Sequence, residues 1–157
     1  MRKYLSFCFP IALALASVLA QSQQLTVQTE TGKQTVLSRA DLDGMPHVKV
    51  TTSQNLTFEG VALREVLEKG GVAFGESLRG KRLSSCLLVE ASDGYSVVIA
   101  LPEVDPAFTD KQIVLAFLEN GKPLDAHAGP YRIVIPGEKR MARWVRQVTT
   151  LKVVNVQ

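Results

Sequence analysis

Residues 112–118 read QIVLAFL, and after Gln112 every side chain is apolar. A strand with one wet face alternates apolar and polar residues, so an unbroken apolar run of this length predicts a central strand covered on both sides. The rest of the chain must supply that cover, and most of it is strand-like too. LTVQT (25–29) and QTVL (34–37) flank Thr31-Gly32-Lys33, the pattern of a hairpin. HVKVTT (47–52) and NLTF (55–58) alternate as half-buried strands do. RLSSCLLVEASDGYSVVIAL (82–101) reads as two strands around Ser92-Asp93-Gly94, with Tyr95, Val97, Ile99 and Leu101 on one face. Tyr95 is expected to pack in the core with its hydroxyl at the rim. Asn120-Gly121 marks a tight turn, and YRIVI (131–135) is a strand closed by Pro136-Gly137. In RWVRQVTTLKVVNV (143–156) the apolar phase slips between Val148 and Leu151, which predicts a bulge or a short helical turn before a last strand.

Two helices interrupt these strands. SRADLDGMP (38–46) has Ser38 and Asp41 at the spacing of a capping box, and Gly44 and Pro46 stop it. VALREVLEKGG (61–71) puts Leu63, Val66 and Leu67 on one face, spaces Arg64–Glu68 and Glu65–Lys69 as i,i+4 pairs, and ends at Gly70. The expectation is α+β: a single β-rich domain with two or three short helices.

The chain starts differently. Arg2 and Lys3 precede an apolar run from Tyr4 to Ala20, followed by the polar QSQQ. That is the pattern of a secretory signal peptide with cleavage after Ala20. The other reading, a membrane anchor, is disfavoured because Pro10 interrupts a run that barely reaches the ~20 residues a span needs. Cys8 follows Leu5-Ser6-Phe7, which is no lipoprotein box. The domain is then 21–157, after a signal peptide over 1–20, in a periplasmic or secreted protein with no membrane span after cleavage. Its length suits one domain that buries roughly two thirds of its unfolded surface. Without Arg2 and Lys3 the 18 basic side chains become 16 against 15 acidic, so a general affinity for nucleic acid is not expected. Cys86 is left alone, which excludes an internal disulfide. In SSCLLV it reads as a small apolar strand residue rather than a reactive thiol.

Familiar catalytic patterns are missing. The chain has no phosphate-binding Gly-x-x-x-x-Gly-Lys-Ser/Thr, no Gly-x-Gly-x-x-Gly and no Gly-x-Ser-x-Gly. His47 and His127 are far apart in sequence, and neither has a neighbouring ligand pattern. What stands out is charge. Residues 132–152 carry Arg132, Lys139, Arg140, Arg143, Arg146 and Lys152 against one acid, Glu138, whereas 21–131 is net acidic. Arg132, Lys139, Arg140 and Arg143, with Gly137 admitting a close backbone approach, are candidate donors to an anion. Arg132 could equally pair with a carboxylate such as Asp93 or Asp125, Lys139 and Arg140 could be a solvated turn, and Trp144 could simply cover the core.

Four segments, in order, carry a resemblance. Phe58-Glu59-Gly60-Val61-x-Leu63-x-x-Val66-Leu67, then Asp93-Gly94-Tyr95, then Gly121-Lys122-Pro123-Leu124 with Pro130-Tyr131-Arg132-Ile133-Val134-Ile135-Pro136, then Arg143-Trp144 before the last strand, resemble the oxidoreductase molybdopterin-binding domain family, the sulfite-oxidase-like fold. The likeness covers about residues 30–155. It implies that fold, with a molybdopterin as the candidate cofactor, and the candidate cofactor-binding residues are Tyr95, Arg132, Gly137, Lys139, Arg140 and Arg143. The family's enzymes hold molybdenum by a cysteine about a dozen residues before the Gly-Val-x-Leu. Here that region reads PHVKVTTSQNLTF. The expectation is therefore a member without the metal's cysteine ligand and with no metal residues to name, binding an anionic small molecule or pterin, or a periplasmic protein partner. The alternative is a genuine molybdopterin-dependent oxidoreductase with an unusual ligand set.

Overall fold

In the computed structural model, which describes residues 23–156, hydrogen-bond pairing decides where each predicted strand goes. β1 (Leu25–Gln28) and β2 (Gln34–Leu37) form the first hairpin. α1 (Arg39–Asp43) follows, capped as its sequence requires: the Asp41 amide donates to the Ser38 hydroxyl, and the Asp41 carboxylate accepts from the Ser38 amide at 2.8 Å. β3 (His47–Thr51) and β4 (Thr57–Ala62) pair antiparallel and lead into α2 (Leu63–Lys69). In α2, Leu63, Val66 and Leu67 are all buried, and Arg64–Glu68 forms one expected i,i+4 pair at 2.9 Å. β5 (Ser85–Ala91) and β6 (Ser96–Ala100) make the second hairpin. β7 (Val114–Glu119), β8 (Lys122–Pro123), β9 (Arg132–Val134) and β10 (Val148–Asn155) complete the domain. Both descriptions of the last segment hold. A 3-10 turn spans Met141–Arg143, and a bulge lies between Val148 and Thr150 in the β10–β5 ladder.

These strands make two five-stranded sheets. One runs β2-β1-β10-β5-β6, where the first and last strands of the domain lie side by side in parallel. That pairing is non-local and had no signature in the sequence. The other runs β3-β4-β7, and β8 and β9 share the far edge of β7, at Leu118–Glu119 and Val114–Ala116 respectively. β7 is thus the central strand its composition predicted, buried from Val114 to Phe117. One core serves both sheets: Leu25, Val27, Leu87, Leu151 and Val153 from the first meet Phe58, Val61, Leu115 and Ile133 from the second, with Leu63 and Leu67 of α2. Among the described residues no helix is long and apolar enough to cross a membrane. The signal peptide expected over 1–20 lies outside the described residues.

The β4–β7 register shifts between Glu59 and Gly60. A Cβ on Gly60 would stand 2.0 Å from the Leu115 carbonyl oxygen, a backbone atom that cannot swing away. Gly60→Ala should therefore destabilise the domain by about 3 kcal/mol or more, the upper end of overpacking costs. Urea unfolding checks this; a loss under about 1 kcal/mol would mean that the two strands part easily.

Candidate functional site

The basic segment is held by a second use of β9's backbone. One edge of β9 pairs with β7; on the other, the Ile133 amide donates to the Val145 carbonyl at 2.8 Å, and the Val148 amide donates to the Tyr131 carbonyl at 3.0 Å. Residues 136–144 are the excursion between those two points. Gly137 starts it at φ 84°, a left-handed conformation that other L residues adopt only with strain.

Arg132 points away from solvent. Its side chain is 16% exposed, its guanidinium carbon lies 5.3 Å from the Phe58 ring and 5.6 Å from the Trp144 ring, and those rings meet edge to face at 5.9 Å. Its carboxylate partner is Glu119, at 3.9 Å, and not Asp93 or Asp125. Burial draws the Arg132 pKa below the usual guanidinium value; Glu119 opposes that and the charge of Arg146 adds to it. Arg132 Nε and Trp144 Nε1 are buried donors with no hydrogen-bond partner among the described residues.

Arg143 is engaged on both sides. It donates to Glu138 through Nε at 2.8 Å and pairs with both Glu103 oxygens at 3.3 Å. The hydrogen bond to Glu103 raises its pKa, burial opposes this, and Glu138 adds to the rise. Sequence-distant Glu103 and neighbouring Glu138 both neutralise Arg143. Tyr95 is corrected as well. It is not in the core but 48% exposed, with its hydroxyl donating to the Ala142 carbonyl at 2.7 Å. The strand that carries it buries Ile99 and leaves Tyr95 beyond its end, over the 141–143 turn.

Lys139 and Arg140 are exposed. Gly137 and Lys139 line a small hollow of about 100 Å³ with Thr52, Gln54 and Trp144. Gly137 also faces a larger cleft of about 670 Å³, across which stand Val50 and Thr51 of β3. A second cleft, about 610 Å³, runs along Pro46, Val48 and Arg64. Both share one wall, Thr109–Gln112. The sequence reading missed that wall, although PAFTDKQ (106–112) reads as a break before a strong strand. The loop is pinned at Asp105, which is 2% exposed and accepts from the amides of Ala107 and Gly75 at 3.0 Å each. Arg64 lies 3.8 Å away.

Nothing here assembles a metal centre. Among the described residues no three of His, Cys, Asp and Glu converge. His47 packs edge-on against Phe117 and meets Glu59 at 3.4 Å. Cys86 is half-buried on β5, between Ala100 of β6 and Val154 of β10, in the sheet that does not contain β3.

The family described as "Oxidoreductase molybdopterin binding domain" matches residues 49–157. A crystal structure of the sulfane dehydrogenase SoxCD from Paracoccus pantotrophus superposes with a TM-score of 0.65 at 21% identity, over 85% of this chain. This chain covers only 39% of that one. At such identity the likeness shows the fold alone. No curated protein matches.

Two expectations follow from the geometry. Arg132→Ala removes a planar cation packed against two rings and leaves only a partly exposed Glu119 behind, so it should cost about 2 kcal/mol rather than the ~3–5 of a broken buried pair. Arg132→Lys should restore little of this, because a compact ammonium cannot stack as a guanidinium does; full recovery in thermal melts would show that charge alone matters. At Asp105, burial pushes the carboxyl up, but the Ala107 and Gly75 amides together with Arg64 outweigh it, so its folded pKa lies below the usual value. Its contribution is then complete above the unfolded pKa of about 4 and is lost as pH falls through the lower folded value. Asp105→Asn should lower stability at neutral pH by about 1–3 kcal/mol, since its amide group cannot accept from both backbone donors. It should also flatten the acid limb of a stability-against-pH curve, and an unchanged limb would remove Asp105 from this role.

Proposed function

The chain belongs to the oxidoreductase molybdopterin binding domain family, and on that premise we propose that it is an exported member that binds an anionic or pterin ligand, or a protein partner, without a thiolate-held molybdenum. The cleft between β3 and the Pro136-Gly137 turn carries this reading. It is a shallow, open cleft whose volume is in the range of small-molecule sites, and Gly137 lines it. On the other side Val50 and Thr51 occupy the strand where the family's cysteine is expected, and neither can ligate as a thiolate would. Cys86 is in the other sheet, so the donor set does not fit a sulfur-ligated metal. Lys139 stands near Gly137 as a donor to an anion's oxygens, whereas Arg143 already serves two carboxylates.

Export is the second half of the proposal, supported by Arg2, Lys3 and the run to Ala20. One preparation tests both halves. Protein taken from the periplasm of its own host should begin at Gln21 by intact mass and carry far less than one molybdenum per chain by elemental analysis. Cys86→Ser should be no different in metal content and should stay folded. One molybdenum per chain, or metal lost in folded Cys86→Ser, would establish the alternative oxidoreductase with an unusual ligand set.

A further inference from the structure

On the face beside this cleft, a hollow of about 270 Å³ is lined by Asp93, Tyr95, Met141, Trp144 and Arg146. Tyr95, from the turn before β6, and Met141, from the basic turn, are large groups left 48% and 40% exposed. Tyr95 is exposed yet fixed: its hydroxyl is held by the Ala142 carbonyl, and its amide donates to Asp93 at 2.9 Å. An aromatic side chain already held in place loses little entropy when covered. Arg146 lines the hollow, Arg140 directly precedes Met141 in the chain, and Lys139 lines the neighbouring hollow that shares Met141 and Trp144; all three are exposed, and among the described residues no carboxylate pairs with any of them. Arg143, at the middle of the same turn, takes Glu103 and Glu138 for itself. The charge of Arg146 also bears unfavourably on buried Arg132, a repulsion that an anion placed there would relieve.

We propose that this face, centred on Tyr95 and Met141 and rimmed by Lys139, Arg140 and Arg146, docks an acidic protein segment that carries an aromatic side chain for the hollow. Exposed Tyr, Met and Arg together form the residue set enriched at protein interfaces, where an apolar anchor supplies affinity and rim charges supply orientation and rate. Asp93 keeps its negative charge at the hollow, one carboxylate against the three cations Lys139, Arg140 and Arg146. The proposal goes beyond the ligand reading of the cleft: of the residues lining the hollow, none lines the cleft of Val50, Thr51 and Gly137.

The test uses the full exported chain, labelled with nitrogen-15, and a random Glu/Tyr copolymer as the probe. Binding should shift the amides of 93–95 and 139–146 and leave 50–51 and 109–112 unmoved. It should weaken with salt. Arg140→Glu with Arg146→Glu should weaken it tenfold or more, and Tyr95→Ala by about tenfold, with melting temperatures close to the parent's because these side chains are exposed. Tyr95→Phe, which keeps the ring, should lose much less. Polyglutamate binding as tightly as the copolymer would overturn the aromatic anchor. Duplex DNA or phosphatidylglycerol vesicles binding as tightly would overturn the choice of a protein partner, and so would failure of the copolymer to bind at all. Shifts confined to the cleft would overturn this surface while leaving the ligand reading intact, and a metal-loaded cleft with a binding surface would do the reverse.

Discussion

The two sheets are joined where Val148 donates to Tyr131 and Ile133 donates to Val145. β9 is only three residues long, yet both of its backbone edges are in use, β7 on one side and the returning chain on the other. β10 begins at that junction and runs into the middle of the other sheet between β1 and β5. The Pro136-Gly137 wall of one cleft hangs on this crossing. Residues 136–144 can form a projecting turn because both of its ends are fixed in a ladder. Buried backbone groups without partners would be costly, so the ladder also defines where the turn must begin and end.

Arg132 stands at the crossing, with its side chain largely buried. It is at the foot of the turn, with Phe58 from β4 and Trp144 from the return strand around it. A guanidinium in such a place satisfies its charge partly through the ring faces and partly through Glu119. Its Nε and the indole of Trp144, unpartnered among the described residues, are then the residual cost of packing a planar cation between aromatic side chains.

How much of this was legible in the sequence follows from which interactions are local. Ser38 with Asp41, the apolar face Leu63-Val66-Leu67, the turn at Asn120-Gly121 and the phase slip after Val148 depend on residues a few positions apart, and each appears where the sequence put it. The family likeness was legible for the same reason, since its segments keep their order. Three features were not. The parallel β1–β10 pair joins the two ends of the domain. The Arg143–Glu103 pair spans forty positions. The exposure of Tyr95 depends on where the 141–143 turn happens to pass. Alternation assigned Tyr95 to the face that carries Ile99, but the strand begins only at Ser96, and outside a strand the face no longer decides burial.

The charge imbalance that first drew attention to 132–152 divides, in three dimensions, into cations with different physics. Arg132 is desolvated and held by rings. Arg143 is neutralised by two carboxylates, so its positive charge adds little to the field outside the protein. Only Lys139, Arg140 and Arg146 remain as unpaired charge on the surface of this turn. A count along the chain treats all of these alike, and would place the strongest anion site at Arg132 and Arg143, the two residues least free to serve it. Coulomb attraction for a ligand depends on charge that is both uncompensated and reachable, and weakens with every carboxylate already within a few ångströms. The uncompensated charge of this turn therefore sits at Lys139, Arg140 and Arg146, whereas the cleft at Gly137 has Lys111, beside Asp110, in its own lining.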